Sequence, residues 1–266
     1  MKERAIGVDI DDLHMPAKEA IRTAGELGFN AVELPAATGD LSPPNLSSSG
    51  RRHLLRYVRD LGLSLAALGA DMPGSRFTDP GSADMRIEKT RAILELATEL
   101  RTSVVTASVG PLTHPGTGEP SPVALEVLAQ IGDHADLLGT AFAIRPSCDS
   151  ADRLARVLEE LRCPALKIGL DPAAIVMVGV NPLSLIERFP DQIAIVHARD
   201  ATAGGVQRSG HETRLGEGEV DLATVYAMLE AGEFAGAHIL RRTDSQNPAA
   251  DLAKGRETLL KYLQPA

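Results

Sequence analysis

Apolar residues in this chain gather into short continuous runs that alternate with longer stretches at helical spacing. The first run, Ala5 to Asp9, is too short for a helix and ends in a carboxylate. Met15 and Pro16 then open a segment in which Ala20, Ile21, Ala24 and Leu27 recur at helical spacing, with Gly28 as its C-cap. Asn30 to Leu34 predicts a second strand, and a loop rich in Pro, Ser and Gly runs from Ala36 to Gly50. Leu54, Leu55, Val58 and Leu61 mark the next helix, closed by Gly62, and Leu63 to Leu68 is the third strand. Gly69 to Ser82 has the composition of a long loop able to form a lid, with Phe77 the one aromatic placed in a loop of this kind. Ala83 to Leu100 reads as helix, Ser103 to Ala107 as strand, and Gly110 to Ser121 as another Gly/Pro loop.

The second half keeps the rhythm with shorter loops. Strands are expected at Thr140 to Arg145, Ala165 to Leu170, Ile193 to His197 and Ala237 to Arg241. Helices are expected at Val123 to Leu138, Ser150 to Leu161, Asn181 to Phe189, Asp221 to Leu229 and Ala249 to Leu263. About eight strand-helix pairs with no break in composition predict an α/β fold, a (β/α)8 TIM barrel, as a single domain over residues 1–266. An open doubly wound sheet is the competing architecture, but Gly204-Gly205 begins a polar loop and no GxGxxG fingerprint is present.

Composition narrows the partners. A net charge of -9 argues against a general nucleic-acid binder and suits an anionic membrane poorly. Cys148 and Cys163 lack the number for a disulfide framework and the spacing of a metal motif, so a reducing, cytoplasmic compartment is the expectation. MKERAIGVDI has no long apolar core, and no stretch reaches the ~20 apolar residues of a membrane span.

Barrel folds of this kind gather chemistry at the carboxyl ends of their strands. That rule collects Asp9, Glu33, Arg145, Asp171, His197, Arg199 and Arg241, with Arg214 and Glu217 added from the loop RLGEGEVD. In the run IAIVHARDAT, strand alternation puts Ile195, His197 and Arg199 on one face and Val196, Ala198 and Asp200 on the other. Several arginines beside a histidine and an aspartate suit a small anion, although a lattice of ion pairs would produce the same pattern. His14, His114 and His211 stand in loops that could overhang the mouth, and Cys148 follows Arg145 closely enough to be weighed as a nucleophile.

AGELGFNAVEL near the N-terminus, GLDP at Gly169 to Pro172, VHARDA at Val196 to Ala201, LGEGEVD at Leu215 to Asp221 and GAHILRR from Gly236 form an ordered set. Together they resemble the xylose-isomerase-like TIM barrels, a family that includes sugar-phosphate isomerases and epimerases and, more distantly, endonuclease IV. The resemblance covers nearly the whole chain. It implies a divalent metal held by Glu, Asp, His and Glu on strands five to eight, with the glutamates also moving protons between adjacent sugar carbons. It also implies self-association, since relatives are often dimers or tetramers.

The chain departs from that pattern where the chemistry is. Asp171 and His197 match the expected aspartate and histidine, but Arg145 and Arg241 stand where the two glutamates would, and Ala174 stands where a further histidine is common. Arginine neither gives up its proton nor ligates a metal. The expectation is therefore a site with no metal and no other cofactor. Arg145, Arg241, Arg199, Arg214 and Glu33 would bind a small anionic sugar-like or hydroxy-acid ligand, with His197 and Asp171 as the remaining proton carriers. The alternative is a ligand-binding or regulatory barrel that has lost isomerase chemistry. A nuclease resembling endonuclease IV would need a richer His and Glu cluster and a basic face.

Overall fold

In the computed structural model, which describes residues 4–74, 76–146, 149–204 and 210–263, eight parallel strands close into a barrel. In chain order the strands are β1 (Ile6–Asp9), β2 (Ala31–Pro35), β3 (Ser64–Gly69), β4 (Val104–Ser108), β5 (Ala141–Arg145), β6 (Leu166–Leu170), β7 (Ile193–Ala198), the short β8 (Asp200–Thr202) and β9 (His211–Thr213), and β10 (Ala237–Leu240). Helices α1 (Ala17–Glu26), α2 (Ser48–Asp60), α3 (Ala83–Glu99), α4 (Pro122–Leu138), α5 (Ala151–Leu161), α6 (Pro172–Met177), α7 (Leu183–Arg188), α8 (Leu222–Ala231) and α9 (Pro248–Leu263) surround them. The eighth barrel strand, β10, lies between β7 and β1, with Ile6 opposite His238 and Val8 opposite Leu240. No helix among the described residues is long and apolar enough to cross a membrane.

The strands are apolar on both faces because both faces are covered. Outward residues such as Val8, Phe142, Ile168 and Val196 join the large core shared with the helices, while Ala67, Ala143, Ile195 and Ile239 form a small cluster inside the barrel. Glycine makes space in that interior. A Cβ on Gly169 would come within 2.8 Å of the Arg145 Cγ, so the bare backbone of β6 is what lets the arginine stem lie across it. Helix ends follow local chemistry: Ser121 accepts from the Ala124 N–H at 3.4 Å, Pro122 opens α4, and Gly139 closes it at φ 64°.

Two segments differ from the expected pattern. PAAIVM after β6 folds into the short α6, started by Pro172 with Asp171 as N-cap. The polar stretch after β7 pairs with itself as an antiparallel ladder, β8 with β9, which its composition does not announce. The candidate lid is also anchored. Phe77 is 1 % exposed, with its ring 6.3 Å from that of Phe142 and the Arg86 guanidinium 4.1 Å from its centroid, so it packs against the helix layer instead of facing a ligand.

Candidate functional site

The centre of the barrel mouth is a buried carboxylate-imidazole pair. Strand parity points Glu33 of β2 and His197 of β7 inward from nearly opposite walls, and His197 Nε2 donates to Glu33 Oε2 at 2.7 Å with both side chains essentially sealed. Thr106 of β4 donates its hydroxyl to the other oxygen of Glu33. Burial opposes charge on Glu33, but the imidazole, its hydrogen bond, and the guanidinium groups of Arg145 and Arg241 outweigh it, holding the carboxyl well below its usual range. Burial, reinforced by Arg145 and Arg241, lowers the His197 pKa despite Glu33. An ionised carboxylate only accepts, so the imidazole carries its proton on Nε2, and Nδ1 is left with no hydrogen-bond partner.

Around this pair each arginine meets carboxylates. Arg145, at the end of β5, pairs with Asp71 from the loop after β3, while its buried Nε has no partner. Arg241, just past β10, reaches Asp9 at 3.1 Å and Asp12 at 3.2 Å. Arg199 joins Asp171 at 2.9 Å to Glu212 of β9 at 3.0 Å, and Glu212 also takes Arg242 at 3.1 Å. Burial works against the charge on Asp171, yet Arg199, His197 and Arg145 bring its pKa down to about 2. Asp9 goes the other way: burial, with Glu33 and Asp12 as like charges, raises it to about 7 although Arg241 and the Asp11 N–H oppose the shift.

The sequence brought Asp9, Glu33, Arg145, Asp171, His197, Arg199 and Arg241 to one place, and the fold unites them. Arg214 lies apart, about half exposed and paired with Asp251 of α9 at 2.8 Å, and Glu217 faces Lys254 at the surface. Asp200, outward-facing, accepts backbone N–H groups of Gly216, Gly218 and Val220 and so shapes the LGEGEVD loop. His14, His114 and His211 are exposed. Cys148, weighed as a nucleophile, lies outside the described residues, as do residues 205–209 of the flap that holds His211. Asp12, Asp71, Thr106 and Glu212 were missed: only a contact map across the barrel would single them out. On the β1 to β3 side of the mouth a cavity of about 330 Å³ opens, with Asp9, Asp71 and Arg241 in its wall and no aromatic side chain lining it.

Residues 21–262 match the sequence profile of the xylose isomerase-like TIM barrels. The chain belongs to that family. Solved xylose isomerase-like structures give the same fold: a xylose isomerase domain protein from Planctomyces limnophilus is 20% identical, with TM-score 0.85 and 97% of each chain covered. A D-tagatose 3-epimerase-like protein follows at 18% identity and TM-score 0.80, again over 97% of each chain. A xylose isomerase-like protein from Mycobacterium smegmatis, in complex with magnesium, is 17% identical with TM-score 0.73, covering 98% of this chain and 96% of its own. No curated protein matches the sequence.

The divalent ion that the xylose isomerase-like pattern implies is a poor fit to the donors present. Asp171 Oδ2 is bound by Arg199 and Oδ1 by the Ala174 N–H at 3.0 Å, which leaves His197 Nδ1 as the open donor of the family's set. Among the described residues no group of three or more His, Cys, Asp or Glu side chains is placed to hold a metal ion. A divalent ion ~4 Å from a guanidinium meets repulsion of roughly several kcal/mol even at a screened dielectric.

Proposed function

We propose that this barrel takes a small hydroxylated anion, a sugar acid, sugar phosphate or hydroxy-acid, at its strand mouth without the family's divalent metal, and acts on it by isomerase-like proton transfer. The observation that carries this reading is the convergence of the Arg145 and Arg241 charges on the buried Glu33–His197 pair, at strand ends where the sequence resemblance implies glutamates. Fixed guanidinium groups supply what a cation would: charge to hold an anionic group and to stabilise an enediolate as it forms. Arg145 keeps a buried Nε without a partner for such a contact, and Arg199 fixes Asp171 beside it. Glu33 sets the His197 tautomer so that Nδ1 is a lone-pair base. His197 and Asp171 remain the proton carriers in this reading, while Arg214, paired with Asp251 away from the mouth, drops out of the expected binding set.

A second reading, a ligand-binding barrel without catalysis, draws on a different observation: Arg145, Arg199 and Arg241 already have carboxylate partners, so the lattice is stable with no substrate. The two readings part on one experiment. Purified protein is expected to hold far less than one Mn, Zn or Co per chain by elemental analysis, and near-stoichiometric metal refutes the metal-free site. Deuterium uptake into a bound α-hydroxy carbonyl compound, lost in His197→Gln, supports the enzyme. Binding without uptake supports the binder.

A further inference from the structure

The cavity beside the mouth does not reach His197 or Asp171. Its wall is built from Asp9, Asp71 and Arg241 at the strand ends and from Thr38, Asp40 and Leu41 of the loop after β2. At about 330 Å³ it falls in the range of ~300–1,000 Å³ that small-molecule sites occupy. Carboxylates accept from hydroxyl groups and the guanidinium donates to a carbonyl or acidic oxygen, so the wall matches a polyhydroxylated carbonyl compound. The absence of an aromatic lining favours a polar molecule over one needing a stacking face.

We infer that this cavity is the ligand site and that Asp9, and not the sealed His197, is the proton-carrying group there, paired with Arg241 as the electrostatic partner of the oxygen that gains charge. The inference rests on the metal-free anion site proposed above and gives the proton-carrying role to the group that faces the cavity. The Asp9 carboxylate takes the proton from a hydroxyl-bearing carbon next to a carbonyl. The C–H electron pair becomes the C=C bond of an enediolate, and the carbonyl π pair moves onto oxygen beside Arg241. The proton held on the Asp9 carboxyl exchanges with solvent, a proton or deuteron from that carboxyl returns to carbon and the carbonyl re-forms, so no oxidant, reductant or co-reactant is consumed.

The surroundings of Asp9 suit this work. Arg241 follows β10, Glu33 stands on β2, Asp11 and Asp12 lie in the turn after β1, and Asp71 shares the cavity wall. Burial and the neighbouring carboxylates raise Asp9 to about 7, so both protonation states are populated at neutral pH, as a group that both takes and returns a proton requires.

The test uses full-length protein stripped of metal by chelation, in deuterium oxide, with D-fructose, dihydroxyacetone phosphate and hydroxypyruvate as probes. At least one is expected to take up deuterium next to its carbonyl faster than in a protein-free blank. Asp9→Asn is expected to lower that rate by about 10²-fold or more, and Asp9→Glu to restore part of it with a displaced pH midpoint. Failure of all three probes, or an Asp9→Asn rate within about threefold of the unaltered protein, overturns the inference. If Asp9→Asn does not fold, an unchanged pH midpoint in Asp9→Glu overturns it instead. Uptake that appears only with added Mn²⁺ overturns the metal-free reading, while the two Asp9 variants, assayed with the ion, still decide the role of Asp9.

Discussion

Glu33 carries more of this site than any other side chain. It accepts from Thr106 and His197 at once and lies within reach of two guanidinium groups, all inside a sealed interior. Glu33→Gln keeps the shape but removes the charge those groups surround, and loss of one partner of a buried charge set costs about 3–5 kcal/mol. The melting temperature of Glu33→Gln should fall by roughly ten degrees, and a change of under about two degrees would show that the charge is compensated elsewhere. At this scale the sequence was legible where chemistry sits at the end of an apolar run: Asp9, Glu33, Arg145, Asp171, His197 and Arg241 all do. Thr106 and Asp71 were illegible because nothing local marks a threonine on the fourth strand, or an aspartate in a Gly/Pro loop, as the partner of a residue far along the chain.

Among the elements, the β8–β9 ladder is held down by ion pairs. Glu212 bridges Arg199 and Arg242 and also accepts from the Asp244 N–H at 2.9 Å, so one carboxylate ties the ladder to the segments after β7 and β10. Glu212→Ala should speed amide hydrogen exchange in residues 200–202 and 211–213 by about tenfold or more while leaving the barrel strands protected. Equal acceleration in β5 and β6 would mean the bridge supports the whole barrel. Buried parallel strands are apolar throughout, and the chain announced them plainly. The ladder, made of DAT and HET, has no apolar alternation, and α6 has too few residues to show helical spacing.

For the whole molecule, opposed shifts at the mouth shape stability against pH. Asp9 titrates higher in the folded chain than its ordinary 3.8, near 7, so folding takes up a proton and stability falls as pH climbs through that window. Asp171, held at about 2, contributes stability above its ordinary 3.8 that is lost as pH falls towards the folded value. Thermal melts should therefore show lower stability at about pH 8 than at about pH 5.5, and Asp9→Asn should flatten that slope. An unchanged slope in the variant would assign the neutral limb to other groups. The charge pattern makes one more demand: Arg145→Glu with Arg241→Glu should raise Mn²⁺ affinity by about 10²-fold or more in calorimetry, and no gain would show that the remaining donors cannot assemble around an ion.

Arg241 and Arg242 also span the seam where the cylinder closes, since both bind Asp12 from the opposite end of the chain, Arg242 through its backbone N–H at 2.9 Å. The wall that would touch a ligand is thus finished by the last strand of the barrel in chain order. A nascent polypeptide stopped before β10 would have most of its strands and no working pocket, so ligand capture during synthesis should report barrel closure itself.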